Sequence, residues 1–289
     1  MKPQSFVEIS VEPGAGESKF KEKSADFFAR CGVPGSEIVF FESPEGFRTA
    51  VYTRRKSLLQ KTVKQFKKLE SPDWRLQSKI LTRKDWLDKW QTDYRMMPLG
   101  RKFMLVPFWQ KKKFHAAAGR LPIYLDPKAA FGSGQHPSTQ IVIALMEKIK
   151  GPLDDFLDLG TGTGILSVAA HRLGAKTILA YDLDPVARQA AAFNLKLNSA
   201  KDFSVRRENV VRLKSSRRYD LVCANLTASI LAQAKHFLFS SIRKGGFLII
   251  SGILSAEIDS FAGSFTYPGF RRLELLKRRG WGGLLLKRG

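Results

Sequence analysis

The sequence predicts a small α+β unit followed by a larger α/β unit with a mostly parallel, doubly wound sheet. Within about the first 80 residues, strand-like and helical patterns follow the order strand, helix, strand, strand, helix, strand. From about Pro152, apolar strand-like runs alternate with amphipathic helical segments, and this alternation requires crossover connections. The length of 289 residues and the hydrophobic fraction of 44% suit two globular domains.

The N-terminal unit has the element order of a ferredoxin-like fold. Alternation in FVEISVE predicts a half-buried strand, and a helical face follows with Phe20, Phe27, Phe28 and Cys31. A turn at Pro44–Gly46 separates the strand-like runs SEIVFFES and GFRTAVYTR. The amphipathic stretch KSLLQKTVKQFKKLE predicts a second helix, and DWRLQSKIL predicts a closing strand. We therefore predict a ferredoxin-like domain over residues 1–82.

Residues 83–125 are predicted to form an interdomain connector. This stretch is too aromatic for a flexible linker, because it contains Trp86, Trp90, Tyr94, Trp109 and Tyr124. We expect these rings to fill a core rather than to stack on a ligand.

The α/β domain is predicted over residues 126–289. Its strands are predicted in DDFLDLG, KTILAYDLDP, FSVRREN, YDLVCANL and FLIISGIL. Its helices are predicted in GILSVAAHRLGA, PVARQAAAFNLKLNSA and SILAQAKHFLFSSIRKGG, the last ending at Gly245 and Gly246. Ligands of such sheets bind beyond the carboxyl ends of the strands.

A glycine-rich turn follows the first strand of this domain. The stretch DLGTGTGIL places Gly160, Gly162 and Gly164 at every second position, which lets the backbone adopt positive φ and approach a ligand closely. The dinucleotide fingerprint is G-x-G-x-x-G, whereas Ile165 occupies its third glycine position here. The spacing therefore disfavours NAD.

An acidic residue at the end of the second strand would accept hydrogen bonds from a ribose. Asp182 lies at the required spacing after Gly160. Asp184 precedes Pro185 and could instead cap the next helix, so Asp182 is favoured for the ribose. Strand, glycine turn, helix and acidic strand end together form the Rossmann-like pattern of a class I S-adenosylmethionine-dependent methyltransferase.

The charge of the chain is strongly positive. Lys and Arg total 49 against 26 acidic residues, which gives a net charge of +23. Because the excess is spread along the chain, it predicts a surface that attracts polyanions such as ribosomal RNA, although general solubility explains it equally well. The sequence shows no pattern typical of a signal peptide and no apolar run of about 18 residues, so we expect a cytoplasmic protein without a membrane partner.

Cysteine and histidine give no sign of a disulfide framework or a metal site. Cys31 and Cys223 lie far apart inside apolar patterns, as expected for reduced thiols. The spacing of the four histidines is not that of metal ligands. We therefore predict no metal.

Several segments together resemble the ribosomal protein L11 methyltransferase family (PrmA). They are LDPKAAFGSGQHPSTQ, DLGTGTGILSVAAHRLGA, AYDLDPVA, ANLTASIL, SGIL and the connector stretch KDWLDKWQTDYRMMPLGRKFMLVPFW. The resemblance implies methylation of a lysine or another amine in a ribosomal protein of the large subunit, with S-adenosylmethionine as the cofactor. It implies that the N-terminal domain, residues 1–82, recognises the substrate. It also implies cofactor contacts at Thr139, Gly160, Asp182 and Asn225, and Gly162 belongs to the same turn.

Each of these site residues has a structural alternative. Thr139 could cap the helix that begins at TQIVIALMEKI, Asn225 could be a turn residue, and Gly162 could serve the turn only. His136 is favoured as a loop-shaping residue over a base. No general base is assigned, and Asn225 is the candidate for orienting the substrate amine.

Two other functions stay open. An RNA methyltransferase would exploit the positive charge, although ANLT lacks the [DN]PP[YF] tetrad of many nucleobase amino methyltransferases. A non-catalytic ribosome-binding protein could keep the fold, but the joint presence of Gly160, Asp182 and Asn225 disfavours it.

Overall fold

A computed structural model describes residues 6–13, 20–33, 38–43, 46–53, 56–69, 74–81, 94–115, 119–127, 132–151, 153–214 and 216–289. The chain forms two compact units, residues 1–95 and 96–289. Part of the predicted turn at Pro44–Gly46 and the first part of the predicted connector, with Trp86 and Trp90, lie outside the described residues.

The first unit has ferredoxin-like topology. Its elements are β1 (Phe6–Glu12), α1 (Phe20–Arg30), β2 (Ile38–Ser43), β3 (Gly46–Thr53), α2 (Lys56–Phe66) and β4 (Arg75–Leu81). The strands pair antiparallel in the order β2-β3-β1-β4, as the predicted element order requires. The predicted helical face of Phe20, Phe27, Phe28 and Cys31 is buried against β-strand residues such as Ile9.

The second unit begins with a small sheet where the sequence predicted only a connector. It comprises β5 (Met97–Leu99), β6 (Phe103–Pro107) and β7 (Leu121–Leu125), in that order, with a short 3-10 helix over Phe108–Lys113. β5 and β6 are antiparallel, whereas β6 and β7 are parallel. The sheet buries Phe103, Leu105 and Ile123 completely.

The rest of the second unit is the predicted doubly wound α/β domain. Its elements are α3 (Pro137–Met146), β8 (Asp155–Leu159), α4 (Ile165–Arg172), β9 (Thr177–Tyr181), α5 (Pro185–Leu197), β10 (Asp202–Arg206), β11 (Tyr219–Asn225), α6 (Ala228–Gln233), α7 (Lys235–Ser240), β12 (Ile242–Leu254), α8 (Ile258–Ser264), β13 (Phe270–Arg278) and β14 (Trp281–Arg288). The strand order is β10-β9-β8-β11-β12-β14-β13. β8 to β12 are parallel, and the hairpin of β13 and β14 pairs antiparallel with β12.

Three features of this domain differ from the sequence prediction. Neither α8 nor the β13–β14 hairpin was predicted. The third predicted helix is two short helices that end at Ser240 instead of continuing to Gly245 and Gly246. Ile242 already pairs with Tyr219 in the sheet. A Cβ on Gly246 would lie 3.0 Å from the carbonyl oxygen of Asp220, so this glycine is needed for strand packing and not for ending a helix.

The parallel strands give the sheet a carboxyl edge, where β8 to β12 end, and an amino edge, where they begin. The strand order reverses between β8 and β11, which makes their carboxyl ends the switch point where ligands of such sheets bind. In the part of the chain that the structure describes, no helix is both long and apolar enough to cross a membrane.

Candidate functional site

The glycine turn after β8 is built from left-handed backbone. Gly160, Gly162 and Gly164 have φ of 73°, 56° and 79°. The amides of Gly160 and Thr161 both donate to the carbonyl oxygen of Tyr181, at 2.9 and 3.0 Å. These bonds hold the turn against the end of β9.

The two ends of this turn leave little room for a side chain. A Cβ on Gly164 would lie 2.9 Å from Cα of Ala191, so close packing against the backbone of α5 requires glycine there. A Cβ on Gly160 would lie 2.5 Å from Cδ2 of Leu226, a side-chain end that can move, so Gly160 is favoured mainly by its positive φ.

Asp158, the last acidic residue of β8, is completely buried under the turn. Its Oδ2 accepts hydrogen bonds from Oγ1 of Thr161 at 2.7 Å and from Oγ of Ser167 at 2.6 Å. Burial raises the pKa of its carboxyl group to about 6. Its Oδ1 is buried and accepts no hydrogen bond from the described residues. The sequence analysis assigned no role to Asp158.

Asp182 lies directly after β9, as predicted. Its Oδ2 accepts from the amide of Gly162 at 2.9 Å, and its Oδ1 accepts from the amide of Asp184 at 3.0 Å. Two carboxylate oxygens offer about four acceptor positions, so further hydrogen bonds remain available. Asp184 caps α5 by accepting from the amide of Val186 at 2.8 Å, which confirms its capping role.

Thr139 lies in the first turn of α3, but it does not cap that helix. His136 is the N-cap, and its Nδ1 accepts from the amide of Ser138 at 3.3 Å. The His136 ring lies edge-on to Trp281, with ring centroids 4.7 Å apart. Burial lowers the pKa of His136 to about 4, so its imidazole is neutral at pH 7. Oγ1 of Thr139 is buried without a hydrogen-bond partner among the described residues.

Asn225 is the last residue of β11 and is 9% exposed. It pairs in register with Ser251 of β12, whose carbonyl oxygen accepts from the amide of Leu226. Gly252 has a φ of 89°, and a Cβ there would lie 2.4 Å from the carbonyl oxygen of Leu226. In the described chain, Oδ1 of Asn225 is buried and unpartnered.

Two buried asparagines, Asn194 in α5 and Asn198 directly after it, bind the main chain of β7 and of the loop after it. The Asn198 amide accepts from the Tyr124 N–H at 2.9 Å and donates to the Tyr124 carbonyl at 2.6 Å. The Asn194 amide repeats this pattern on Asp126, at 2.8 and 2.9 Å. We call this pair the asparagine clamp.

The asparagine clamp also reaches the glycine turn. Nδ2 of Asn194 donates to the carbonyl oxygen of Thr163 at 2.8 Å, and Oγ1 of Thr163 donates to the carbonyl oxygen of Gly132. The loop before α3 and the glycine turn are therefore held together by Asn194 and Thr163. The sequence analysis did not identify the clamp, because the main-chain partners of the two asparagines lie 68 and 74 positions away in the chain.

The structure places the predicted site residues together at the carboxyl edge of the sheet. The turn and Asp182 follow β8 and β9, and Asn225 is the last residue of β11. The start of α3 lies at the same edge, because His136 contacts Trp281, which pairs with Leu254 at the end of β12. Buried acceptors without donors cost about 1–3 kcal/mol each. A ligand rich in N–H and O–H donors would remove this cost at Thr139 and Asn225. Among the described residues, no group of three or more His, Cys, Asp or Glu side chains could hold a metal ion.

Comparison with known proteins gives matches along most of the chain. The family described as ribosomal protein L11 methyltransferase (PrmA) matches residues 42–289. The ribosomal protein L11 methyltransferase of Bacillus subtilis (strain 168) is 33% identical over 204 residues, which cover 71% of this chain and 65% of that relative. A protein of the same name from Bacillus cytotoxicus is 35% identical over 197 residues, which cover 68% and 63%. The chain thus spans somewhat less than two thirds of these relatives' length.

A solved structure supports the fold. The crystal structure of a ribosomal protein L11 methylase from Lactobacillus delbrueckii subsp. bulgaricus has a TM-score of 0.61 and 30% sequence identity to this chain. The match covers 68% of this chain and 99% of that one. The predicted α/β fold with a mostly parallel central sheet is therefore confirmed.

Proposed function

Because this chain belongs to the ribosomal protein L11 methyltransferase family (PrmA), we propose that it transfers a methyl group from S-adenosylmethionine to an amine of a ribosomal protein. The family resemblance read from the sequence motifs is confirmed by the match. The observation that carries the proposal is the set of buried, unpartnered acceptors on Thr139, Asp158 and Asn225 around the glycine turn. The name of the relatives makes L11 of the large subunit the first substrate to test.

The acceptors fit the cofactor chemically. S-adenosylmethionine carries an ammonium group, two ribose hydroxyls and an adenine amino group, all of which donate hydrogen bonds. We propose that Asp182 accepts from the ribose and that Gly160 and Gly162 let the cofactor lie close to the backbone. Thr139, Asp158 and Asn225 supply the other acceptors. When bound, the cofactor supplies an electrophilic methyl group on a positively charged sulfur.

The chain's own contribution to the reaction is positioning and the exclusion of water. A lysine amine has a pKa of about 10.4 and must lose its proton before it attacks. Burial close to a positive charge lowers that pKa, so a strong base is not required. His136 is already the α3 cap, and the hydrogen-bonded oxygen of Asp158 is held by two hydroxyls. We therefore assign no general base and propose that Asn225 orients the amine.

Calorimetric titration with S-adenosylmethionine and with NAD tests the cofactor. We expect binding of the first and no binding of the second, because the G-x-G-x-G turn lacks the third glycine of the dinucleotide spacing. Binding of NAD without any response to S-adenosylmethionine would overturn the assignment.

Transfer of a labelled methyl group tests the substrate. The acceptors are isolated L11, assembled large subunits and naked ribosomal RNA, and mass spectrometry locates the modified residue. Label in the protein supports the proposal. The net charge of +23 favours one second candidate, an RNA methyltransferase, and label in the RNA would establish it instead. If the cofactor binds and no acceptor is labelled, a non-catalytic ribosome-binding protein fits better.

A further inference from the structure

We propose that the amino edge of the seven-stranded sheet, opposite the edge that carries the candidate site, is a docking surface for the phosphodiester backbone of RNA. The exposed charges of this edge support its binding of a polyanion. The choice of ribosomal RNA as the natural ligand rests on the proposed function.

The topology gathers basic side chains at this edge. Lys201 precedes β10, Arg218 precedes β11, Lys244 lies near the start of β12, and Arg271 and Arg272 lie at the start of β13. These residues share one edge because β14 runs antiparallel to β12 and β13 runs antiparallel to β14, so β13 begins at the same edge as β12. Leu221, Phe247, Lys287 and Arg271 are paired in register across the four neighbouring strands β11, β12, β14 and β13. At about 4.8 Å per strand spacing, the seven strands extend this edge over roughly 29 Å.

Most acidic groups at the same edge are already paired with other cations, whereas Asp202 at the start of β10 accepts a hydrogen bond from Thr177. Asp155 forms ion pairs with Arg217 and Arg243, and Arg243 also pairs with Asp220. Asp154 pairs with Lys176. These pairs remove most of the negative charge that would otherwise repel a phosphate.

The five basic residues of this edge stay available to bind phosphates. Lys201, Arg218, Lys244, Arg271 and Arg272 are all exposed, and none of them forms an ion pair within the described ranges. The negative end of a helix dipole stabilises a cation that follows the helix, and this explains the position of Lys201 after α5. They do not explain Arg271 and Arg272, which lie inside a strand.

The chemistry of this edge selects a polyanion. A basic ribosomal protein would be repelled by it, whereas phosphates gain from the release of counterions when lysine and arginine contact them. The carboxyl edge carries acidic residues such as Asp182, Asp184 and Glu257 next to exposed arginines such as Arg206 and Arg278. RNA on the amino edge would therefore leave the carboxyl edge open to a protein substrate.

Two triple variants with the same loss of charge test the surface. The edge variant is Lys244→Gln with Arg271→Gln and Arg272→Gln. The control is Lys64→Gln with Lys67→Gln and Lys68→Gln, whose lysines are exposed in and just after α2. Fluorescence anisotropy measures the binding of a labelled RNA duplex of about 20 base pairs at several salt concentrations. We expect the edge variant to bind about tenfold more weakly or worse, with a salt slope reduced by roughly two to three. The control should stay within about twofold of the wild type.

Several outcomes overturn the docking surface. They are unchanged RNA affinity in the edge variant, equal loss in both variants, or tighter binding to anionic phospholipid vesicles than to RNA at the same salt. Thermal unfolding checks that both variants fold. Failure of the proposed function is measured separately. In that case the wild type would neither bind S-adenosylmethionine nor transfer a methyl group. The edge variant should keep wild-type S-adenosylmethionine affinity and wild-type methylation of isolated L11.

Discussion

The amide of Gly162 donates a hydrogen bond to Oδ2 of Asp182 at 2.9 Å, which ties the glycine turn after β8 to the acidic residue after β9. The other oxygen of Asp182 accepts from the amide of Asp184. The carboxylate is therefore held in one orientation before a ligand arrives. Such preorganisation reduces the ordering cost of binding.

Replacement of Asp182 by alanine should weaken S-adenosylmethionine binding by roughly 1.5–3 kcal/mol, the scale of a lost charged hydrogen-bond acceptor. Asp182→Asn should lose less, because it keeps one acceptor for Gly162. Titration calorimetry measures both affinities, and circular dichroism checks that the variants fold.

Asp184→Ala is the matched control for this prediction. It removes the cap of α5 and should lower the free energy of unfolding by about 1 kcal/mol while leaving the cofactor affinity nearly unchanged. If Asp184→Ala weakens binding more than Asp182→Ala does, the ribose role belongs to Asp184.

Thr139→Val should weaken S-adenosylmethionine binding without lowering the stability of the unliganded protein. Because Oγ1 of Thr139 is buried without a partner in the described chain, its replacement by a methyl group should leave the unliganded protein as stable or stabilise it by up to about 1 kcal/mol. The same change removes an acceptor from the proposed cofactor site, so S-adenosylmethionine affinity should fall by about fivefold or more. Urea unfolding and calorimetry measure the two effects. Lower stability with unchanged affinity would make the hydroxyl a structural group.

The two members of the asparagine clamp should differ in their effect on the site. Asn194→Ala and Asn198→Ala each leave buried main-chain groups without partners and should each lower the free energy of unfolding by about 2–4 kcal/mol. Only Asn194 contacts the glycine turn, through Thr163. We therefore expect Asn194→Ala, and not Asn198→Ala, to weaken cofactor binding, by about fivefold. Equal affinities at a temperature where both variants are folded would contradict this role.

Asp158→Asn should change how stability depends on pH. Between the ordinary carboxyl pKa of 3.8 and the raised pKa of about 6, folded Asp158 keeps a proton that the unfolded chain has lost. The contribution of Asp158 to stability is therefore complete below pH 3.8 and is lost as the pH rises to about 6. Relative to Asp158→Asn, the wild type should lose about 3 kcal/mol over this interval and nothing further above it. Urea unfolding from pH 4 to 8 measures the difference, and parallel curves for the two proteins would refute the raised pKa.

Much of the fold follows from local patterns in the sequence. The alternation of strands and helices after Pro152 predicts the parallel sheet, and Pro185 directly after Asp184 indicates the start of α5. The hairpin of β13 and β14 escapes prediction because FRRLELLKR lies at the edge of the sheet, where charged side chains interrupt the apolar alternation. The small sheet of β5 to β7 escapes because its first strand has only three residues.

The site is less predictable than the fold. Motifs lead to Thr139, Gly160, Gly162, Asp182 and Asn225, whose proposed contacts with the cofactor stay predictions. The asparagine clamp joins residues that lie 68 and 74 positions apart, and no local pattern indicates such a pairing. The buried, half-satisfied carboxylate of Asp158 also depends on the three-dimensional packing of Ser167 against it.

The asparagine clamp also has a consequence for self-association. β7 lies at the border of its three-stranded sheet, and an open strand border is a template on which another chain can add itself and start aggregation. Here the main-chain groups at the outward-facing positions Pro122, Tyr124 and Asp126 already have side-chain hydrogen-bond partners. Proline has no amide hydrogen to offer, and its carbonyl oxygen accepts from Nε of Arg172 at 3.0 Å, while Asn198 and Asn194 bind both main-chain groups of the other two. The side chains of Arg172, Asn194 and Asn198 thus take the hydrogen-bonding positions of a further strand, which keeps this border from recruiting a second molecule.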